Sequence, residues 1–227
     1  MRPIPIGLAL LIAAITSATA CHKGEGSAGG DAGKGATAAK PVRTAAAGEL
    51  LVDVEKSKLV FAMVKDRDVA NPVKANVMLR DGAISLAAGS ARITVDLTTF
   101  DSQIPVRNER VRNFFFEVTA TGWETAELTI PKLPDAAVAS LRDHKGVLRA
   151  AVEGDLKLHG KTAHVAMTLD AGYGDAGELW VRSTTPVEVK VSDFGLTDNL
   201  KRLSSICMHD SIDDVVKIDV AIQFPAK

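Results

Sequence analysis

Cys207, Met208 and His209 place a thiol and an imidazole two positions apart, a pairing that can hold a soft metal or supply a nucleophile with its base. No third ligand stands at a supporting spacing, and a buried structural thiol is the simpler reading. His159 and His164 flank Gly160-Lys161-Thr162 closely enough to approach each other across a turn, where two imidazoles could bind a transition metal. Polar, outward-facing residues are again the plainer reading. Asp193, beside Phe194-Gly195, reads as a turn former rather than an acid. No Ser/His/Asp order, phosphate-cradling glycine loop or carboxylate pair stands out. The sequence therefore assigns no catalytic residue, no metal site and no cofactor, and it points to a binding fold rather than an enzyme.

The elements that would position these residues are strands. Val152, Gly154, Leu156 and Leu158 alternate with Glu153, Asp155, Lys157 and His159, and Ala163, Val165, Met167 and Leu169 alternate with polar partners beyond the turn at His159-Gly160-Lys161-Thr162. That is a β-hairpin with one apolar face. Similar alternation covers Leu59–Val64, Val73–Arg80, Arg92–Leu97, Ala126–Ile130, a long run from Leu179 to Val191 interrupted by Pro186, and Val216–Phe224. Asp81-Gly82, ahead of Ile84-Ser85-Leu86, predicts a tight turn between two strands. Arg107–Asn113 and Pro134–Arg142 read as short helices, the second opened by its proline. The count predicts an all-β fold: an antiparallel up-and-down barrel of about eight strands, or a sandwich, with one or two short helices.

Composition agrees with one such domain plus extras, at 227 residues, 46% hydrophobic and 4% aromatic. Arg2, Ile4–Ile15 and Ala18-Thr19-Ala20 ahead of Cys21 resemble a bacterial lipoprotein signal over residues 1–20. The Cys21 thiol would then take a diacylglycerol and its freed amino group a further acyl chain, and more than one chain is what makes such anchoring stable. Cleavage after Ala20 by an ordinary signal peptidase is the alternative, since Ala18 stands where a leucine is commoner. His22, in place of an aspartate, favours an outer-membrane address on the periplasmic side of the cell envelope. Residues 22–47 are rich in Gly, Ala, Ser and Lys and read as a tether spanning an r.m.s. distance of roughly 25–30 Å. The domain would occupy residues 48–227. With Cys21 acylated, Cys207 has no disulfide partner. Without residues 1–20 the chain keeps 26 basic and 28 acidic groups, a net charge of −2, and no basic footprint for nucleic acid.

Five segments occur in the order and spacing of a known family: Asp53–Phe61, Arg110–Val118, Gly154–Thr162, Ser192–Leu196 and Asp214–Ile218. Over about Leu50 to Phe224 the chain resembles the YceI-like family, with the turn around Leu158-His159-Gly160 the most specific piece. Ala75 and Val77 stand where the family usually carries Gly and Phe, and Gly122–Val147 departs from its pattern. The resemblance implies a lipocalin-like barrel in the periplasm whose apolar tunnel holds a polyisoprenoid chain, such as a quinone tail, as its ligand, with no catalysed reaction.

An eight-stranded barrel is near the size at which side chains either fill the interior or leave room for one ligand. Ala75, Ala126, Ala150, Gly154 and Ala163 are small residues on the candidate inward faces. Alternation alone favours a filled core, which would make the domain an anchored interaction module; the resemblance favours a tunnel. The residues expected to line it are Phe61, Met63, Val77, Leu79, Ile93, Val95, Phe114, Leu156, Val165, Met167, Val181, Phe194, Ile218 and Val220. The expected partners are a polyisoprenoid-type lipid and, through the anchor, a membrane.

Overall fold

The computed structural model describes residues 44–46, 48–119 and 122–226. Its strands are β1 (Glu49–Leu51), β2 (Lys58–Lys65), β3 (Val73–Ser85), β4 (Ser90–Asp101), β5 (Thr125–Ile130), β6 (Val147–Leu158), β7 (Lys161–Tyr173), β8 (Leu179–Ser183), β9 (Val187–Lys190) and β10 (Ile212–Phe224). Helix α1 (Pro105–Arg110) runs on into a π-helical turn (Val111–Phe115), and α2 (Asp135–Arg142) and α3 (Thr197–Cys207) complete the helices. Around the ring the order is β3-β2-β10-β8-β7-β6-β5-β4, and β4 pairs again with β3. Every pairing is antiparallel, so eight strands close an up-and-down barrel, with β1 added on β3 and β9 on β10. Closure leaves the main ring without an edge, which removes the unpaired N–H and C=O groups of an open sheet.

The β6–β7 hairpin forms as its alternation predicts, with Val147 opposite Gly172 and Leu158 opposite Lys161. His159 and Gly160 alone make the turn, at φ of 51° and 73°. Two successive positive φ values give a turn whose twist matches that of the flanking strands.

Asp81-Gly82 does not make the predicted turn. Both residues lie inside β3, where the pairing with β4 shifts register between Leu79 and Asp81. Gly82 serves close packing instead: a Cβ there would sit 2.7 Å from Ile93 Cδ1 and 2.8 Å from Val52 Cγ2. The bulge also changes which residues face inward, from Ala75 and Val77 before it to Ile84 after it.

The long run to Val191 divides at Pro186, which has no N–H to give a ladder. β8 pairs with Ala221–Phe224 and β9 with Val215–Ile218 of the same β10. Between them the Val220 N–H donates to the Ser183 hydroxyl at 3.0 Å, a side-chain substitute for a ladder bond.

Three short helices form rather than the one or two expected. The third, α3, buries Leu200 and Leu203 after the buried Leu196. Spacings of four and three residues are those of one helical face. Among the described residues no helix is long and apolar enough to cross a membrane.

Replacing Gly82 by valine forces side-chain volume into the β3–β4 seam, which should cost about 1–3 kcal/mol and lower the melting temperature by roughly 2–10 °C. Thermal denaturation followed by circular dichroism measures it, and an unchanged midpoint would contradict this account of the seam.

Candidate functional site

The inner wall of the barrel is apolar and lined in part by alanine. Ala75 on β3, Ala91 on β4, Ala126 on β5, Ala150 on β6 and Ala171 on β7 all face the interior, as does Ala137 on α2. Each is too short to meet the opposite wall, and a cavity of about 270 Å³ remains. An apolar space of roughly 150 Å³ already suffices to take up benzene. Phe61, Met63, Leu156, Met167, Ile218 and Val220 border the cavity and are only partly buried, although they sit on the inward face.

The two ends of the cavity differ. At one end Leu133, Ala137 and Leu141 are buried and close the barrel through α2. Tyr173 seals the same end: its hydroxyl donates to the Leu141 carbonyl at 2.8 Å, its ring stacks on His144 at 4.0 Å, and burial raises its phenol above the ordinary value. At the other end α1 with its π turn, and α3, form a cap whose Val111, Phe115, Phe116 and Leu203 face the cavity. Phe100, Phe115 and Phe116 make edge-to-face ring contacts at 4.9 and 6.2 Å.

Polar links hold this cap. The Asn108 amide oxygen accepts from the Ser102 N–H at 2.8 Å, and its nitrogen donates to Asp101 at 2.8 Å, tying α1 to the end of β4. Asn199 on α3 donates to the Phe115 carbonyl at 2.9 Å and so ties the helices together. Lys65, Arg107, Cys207 and His209 are the polar and thiol-bearing residues of the lining, and all lie where the ends of β2, α1 and α3 meet. That end is the mouth.

The wall, the closed base and the single polar mouth together bound an apolar cavity open at one end of the barrel. The model of the YceI-like domain matches residues 51–224. The chain belongs to the YceI-like family. Among solved structures it is similar to a polyisoprenoid-binding domain from Saccharophagus degradans implicated in plant cell wall breakdown, at 26% identity and a TM-score of 0.69, over 79% of this chain and 99% of that one. It also shares the fold of BcnA from Burkholderia cenocepacia, at 19% identity and a TM-score of 0.54, over 76% of this chain and 98% of that one. No curated protein matches.

Within this YceI-like barrel, Phe61, Met63, Ile93, Val95, Leu156, Val165, Met167, Val181, Ile218 and Val220 line the cavity. Four residues expected there do not. Val77 and Leu79 approach the β3 bulge and are covered by packing, at 2% and 0% exposure. Phe114 points away from the cavity on the π turn and lies under the Arg202 guanidinium at 4.7 Å, while Phe115 and Phe116 face inward. Phe194 is buried in the 3-10 turn before α3. Of the small residues, Gly154 serves strand contact instead, because a Cβ there would lie 2.8 Å from the Thr129 carbonyl oxygen, and Ala163 lies outside the lining. Cys21 and the signal and tether before residue 44 lie outside the described residues.

The histidines do not combine. His159 is held by Glu117 at 3.0 Å and against the Trp123 ring, while His164 lies exposed between Glu153 and Asp155. Cys207 accepts from Arg110 at 3.7 Å, and His209 Nδ1 lies 2.8 Å from Asp66. Among the described residues no cluster of three metal-ligating side chains occurs. Arg107 and the α3 residues at the mouth carry no motif; only the Leu196-Leu200-Leu203-Cys207 stripe announces that helix.

Asp66 fastens the mouth. Its carboxylate accepts from the Asp210 and Ser211 backbone N–H groups at 2.8 and 3.4 Å as well as meeting His209. Partial desolvation would raise its pKa, but the N–H groups of Ser211 and Asp210 and the His209 imidazole together hold it below the usual carboxylate range. A depressed folded value contributes stability above the unfolded value of about 3.9, and that contribution is lost as pH falls through the folded value. Asp66→Ala should therefore speed amide exchange of residues 66–72 and 208–212 at neutral pH, with the barrel strands unchanged. Exchange in those loops as slow as in the wild type would contradict this role.

Proposed function

We propose that this protein binds and carries a polyisoprenoid or related amphiphilic lipid in the bacterial cell envelope, with the chain held in the barrel cavity and no reaction catalysed. The carrying observation is the apolar cavity itself, about 270 Å³ walled almost entirely by aliphatic and aromatic side chains. The similar domain from Saccharophagus degradans is a polyisoprenoid-binding one. Each methylene removed from water contributes roughly 0.8 kcal/mol, so an isoprenoid tail needs no hydrogen bond to be held. Left empty, a cavity of this size would cost about 6 kcal/mol at ~24 cal/mol per Å³. That is the order of a whole domain's stability, and an apolar chain in contact with the wall offsets it.

The residues divide the work accordingly. Phe61, Met63, Ile218 and Val220 on β2 and β10 contact the tail, and Ala75 beside Phe61, with Ala126 and Ala150 farther round the ring, leaves the width for it. The closed base at Leu141 and Tyr173 limits chain length. A lipid anchor on Cys21 would hold the carrier to the periplasmic face of a membrane, in keeping with the small residues before that cysteine. The hollow interior speaks against a filled interaction module, and the separate partners of Cys207 and His209 speak against a joint thiol and imidazole site.

Ala150→Phe tests the cavity as the binding site, because it adds a ring where the wall is half-buried and open. The wild type should gain roughly 5–10 °C in melting temperature with a prenyl quinone at about 100 times its Kd. The variant should fold and lose most of that gain. Equal gains in both would move binding out of the tunnel.

A further inference from the structure

We infer that the mouth of the barrel is a docking face for a phospholipid bilayer, entered by apolar side chains on three separate loops. This rests on the lipid-carrier reading for its purpose, but its observations are independent of the cargo. Val69 between β2 and β3, Ile104 and Val106 at the N-terminal end of α1, and Met208 after α3 are 76%, 40%, 52% and 91% exposed. All four belong to one sector of the rim. The Asp66 carboxylate joins the first loop to the loop after Met208, and Asn76 pairs with Asp101 where β3 and β4 lead to the other residues.

The backbone holds these side chains out at some expense. Asp66, Arg67, Gln103 and Met208 all have positive φ, a region that residues with a Cβ populate sparsely. Met208 occupies the left-handed position closing α3, where glycine or asparagine is usual, and it is also the most exposed of the large apolar residues. A large apolar side chain that is costly both in conformation and in exposure points to a partner that covers it.

Three features favour a bilayer over a protein. Single prongs on separate loops suit insertion into a deformable interface, whereas a protein interface needs a contiguous complementary patch. The prongs stand along one side of the mouth of an apolar cavity, so a chain passing between bilayer and tunnel would avoid water. The tether also permits it. Glu49, the first strand residue, pairs with Ser85 at the end of the barrel opposite the mouth. Residues 22–47 extend to at most about 90 Å, against roughly 43 Å for a 13-residue strand such as β3. A barrel tethered at Cys21 can therefore turn its mouth to the membrane that holds it. Around the β2–β3 loop Lys65 and Arg67 are balanced by Asp66 and Asp68, and Arg107 and Arg110 on α1 by Glu109 and by Asp101 at the end of β4. Docking should therefore be driven by insertion and be insensitive to salt.

The test couples the chain from Cys21 onward, carrying Cys207→Ser, through the Cys21 thiol to phosphatidylcholine vesicles bearing a maleimide lipid. This supplies the tether whatever the native acylation. Amide exchange at 66–70, 103–107 and 207–211 should slow by roughly tenfold on the vesicles at low and high salt alike, a local protection free energy of about 1.4 kcal/mol. The segment around Val147, exposed at the opposite end, should not change. Val69→Ser, Val106→Ser and Met208→Gly together should abolish the protection, and the glycine relieves strain at the α3 end so that folding is not at risk. Absence of rim protection, equal protection around Val147, or the same protection in concentrated protein without vesicles would overturn the proposal, the last in favour of self-association. Transfer of a prenyl quinone to acceptor vesicles separates the two readings: rim protection without uptake of the quinone would sink the cargo reading and leave docking standing.

Discussion

A closed ring of eight strands encloses a fixed space, and whether that space is core or container depends on the side chains that face it. Here alanines on β3, β4, β5, β6 and β7 stop short of the centre while Leu, Val, Ile, Phe and Met cover the wall between them. Large residues at those positions would make the barrel an ordinary packed core. Everything else follows from keeping the space open without letting the barrel collapse. Close backbone contact at Gly82 and Gly154 tightens the seams between strands, and the tight seams hold the ring rigid around its void.

A hollow barrel also needs its ends managed. The base is apolar and sealed, with the half-buried Tyr173 phenol bonded across it to the Leu141 carbonyl. The mouth is covered by helices that turn Val111, Phe115, Phe116 and Leu203 to the cavity, and they are fixed by side-chain amides reaching backbone and carboxylate groups at Asn108 and Asn199. The π turn places two phenylalanines over the cavity and directs the third outward. Short helices held by a few polar links open at lower free energy than strands in a ladder, so the capped end is the one through which a ligand would pass.

The strands were legible because a wall with one apolar face writes period two into the sequence, and the ring topology follows from hairpin order. That Phe61, Met63, Leu156, Val165, Met167, Ile218 and Val220 face the cavity follows from the same alternation. What alternation could not show is where the phase shifts: the bulge after Leu79 hid Asp81-Gly82 inside a strand and took Val77 and Leu79 out of the lining. Within Phe114-Phe115-Phe116 nothing in the residue types distinguishes the outward ring from the inward ones; a π turn decides it. Helix α3 left a trace in its leucine spacing but no capping side chain, and its Cys207 reaches the cavity only because the helix ends there. Cavity against core is a balance of volumes across the ring, which no local pattern records.

The central claim is that the interior holds a lipid chain. Gentle native mass spectrometry of the processed chain purified from a bacterial periplasm, followed by solvent extraction, tests it most directly. The account predicts a stoichiometric, solvent-extractable polyisoprenoid adduct. A protein that arrives empty and takes up no added prenyl quinone would contradict it.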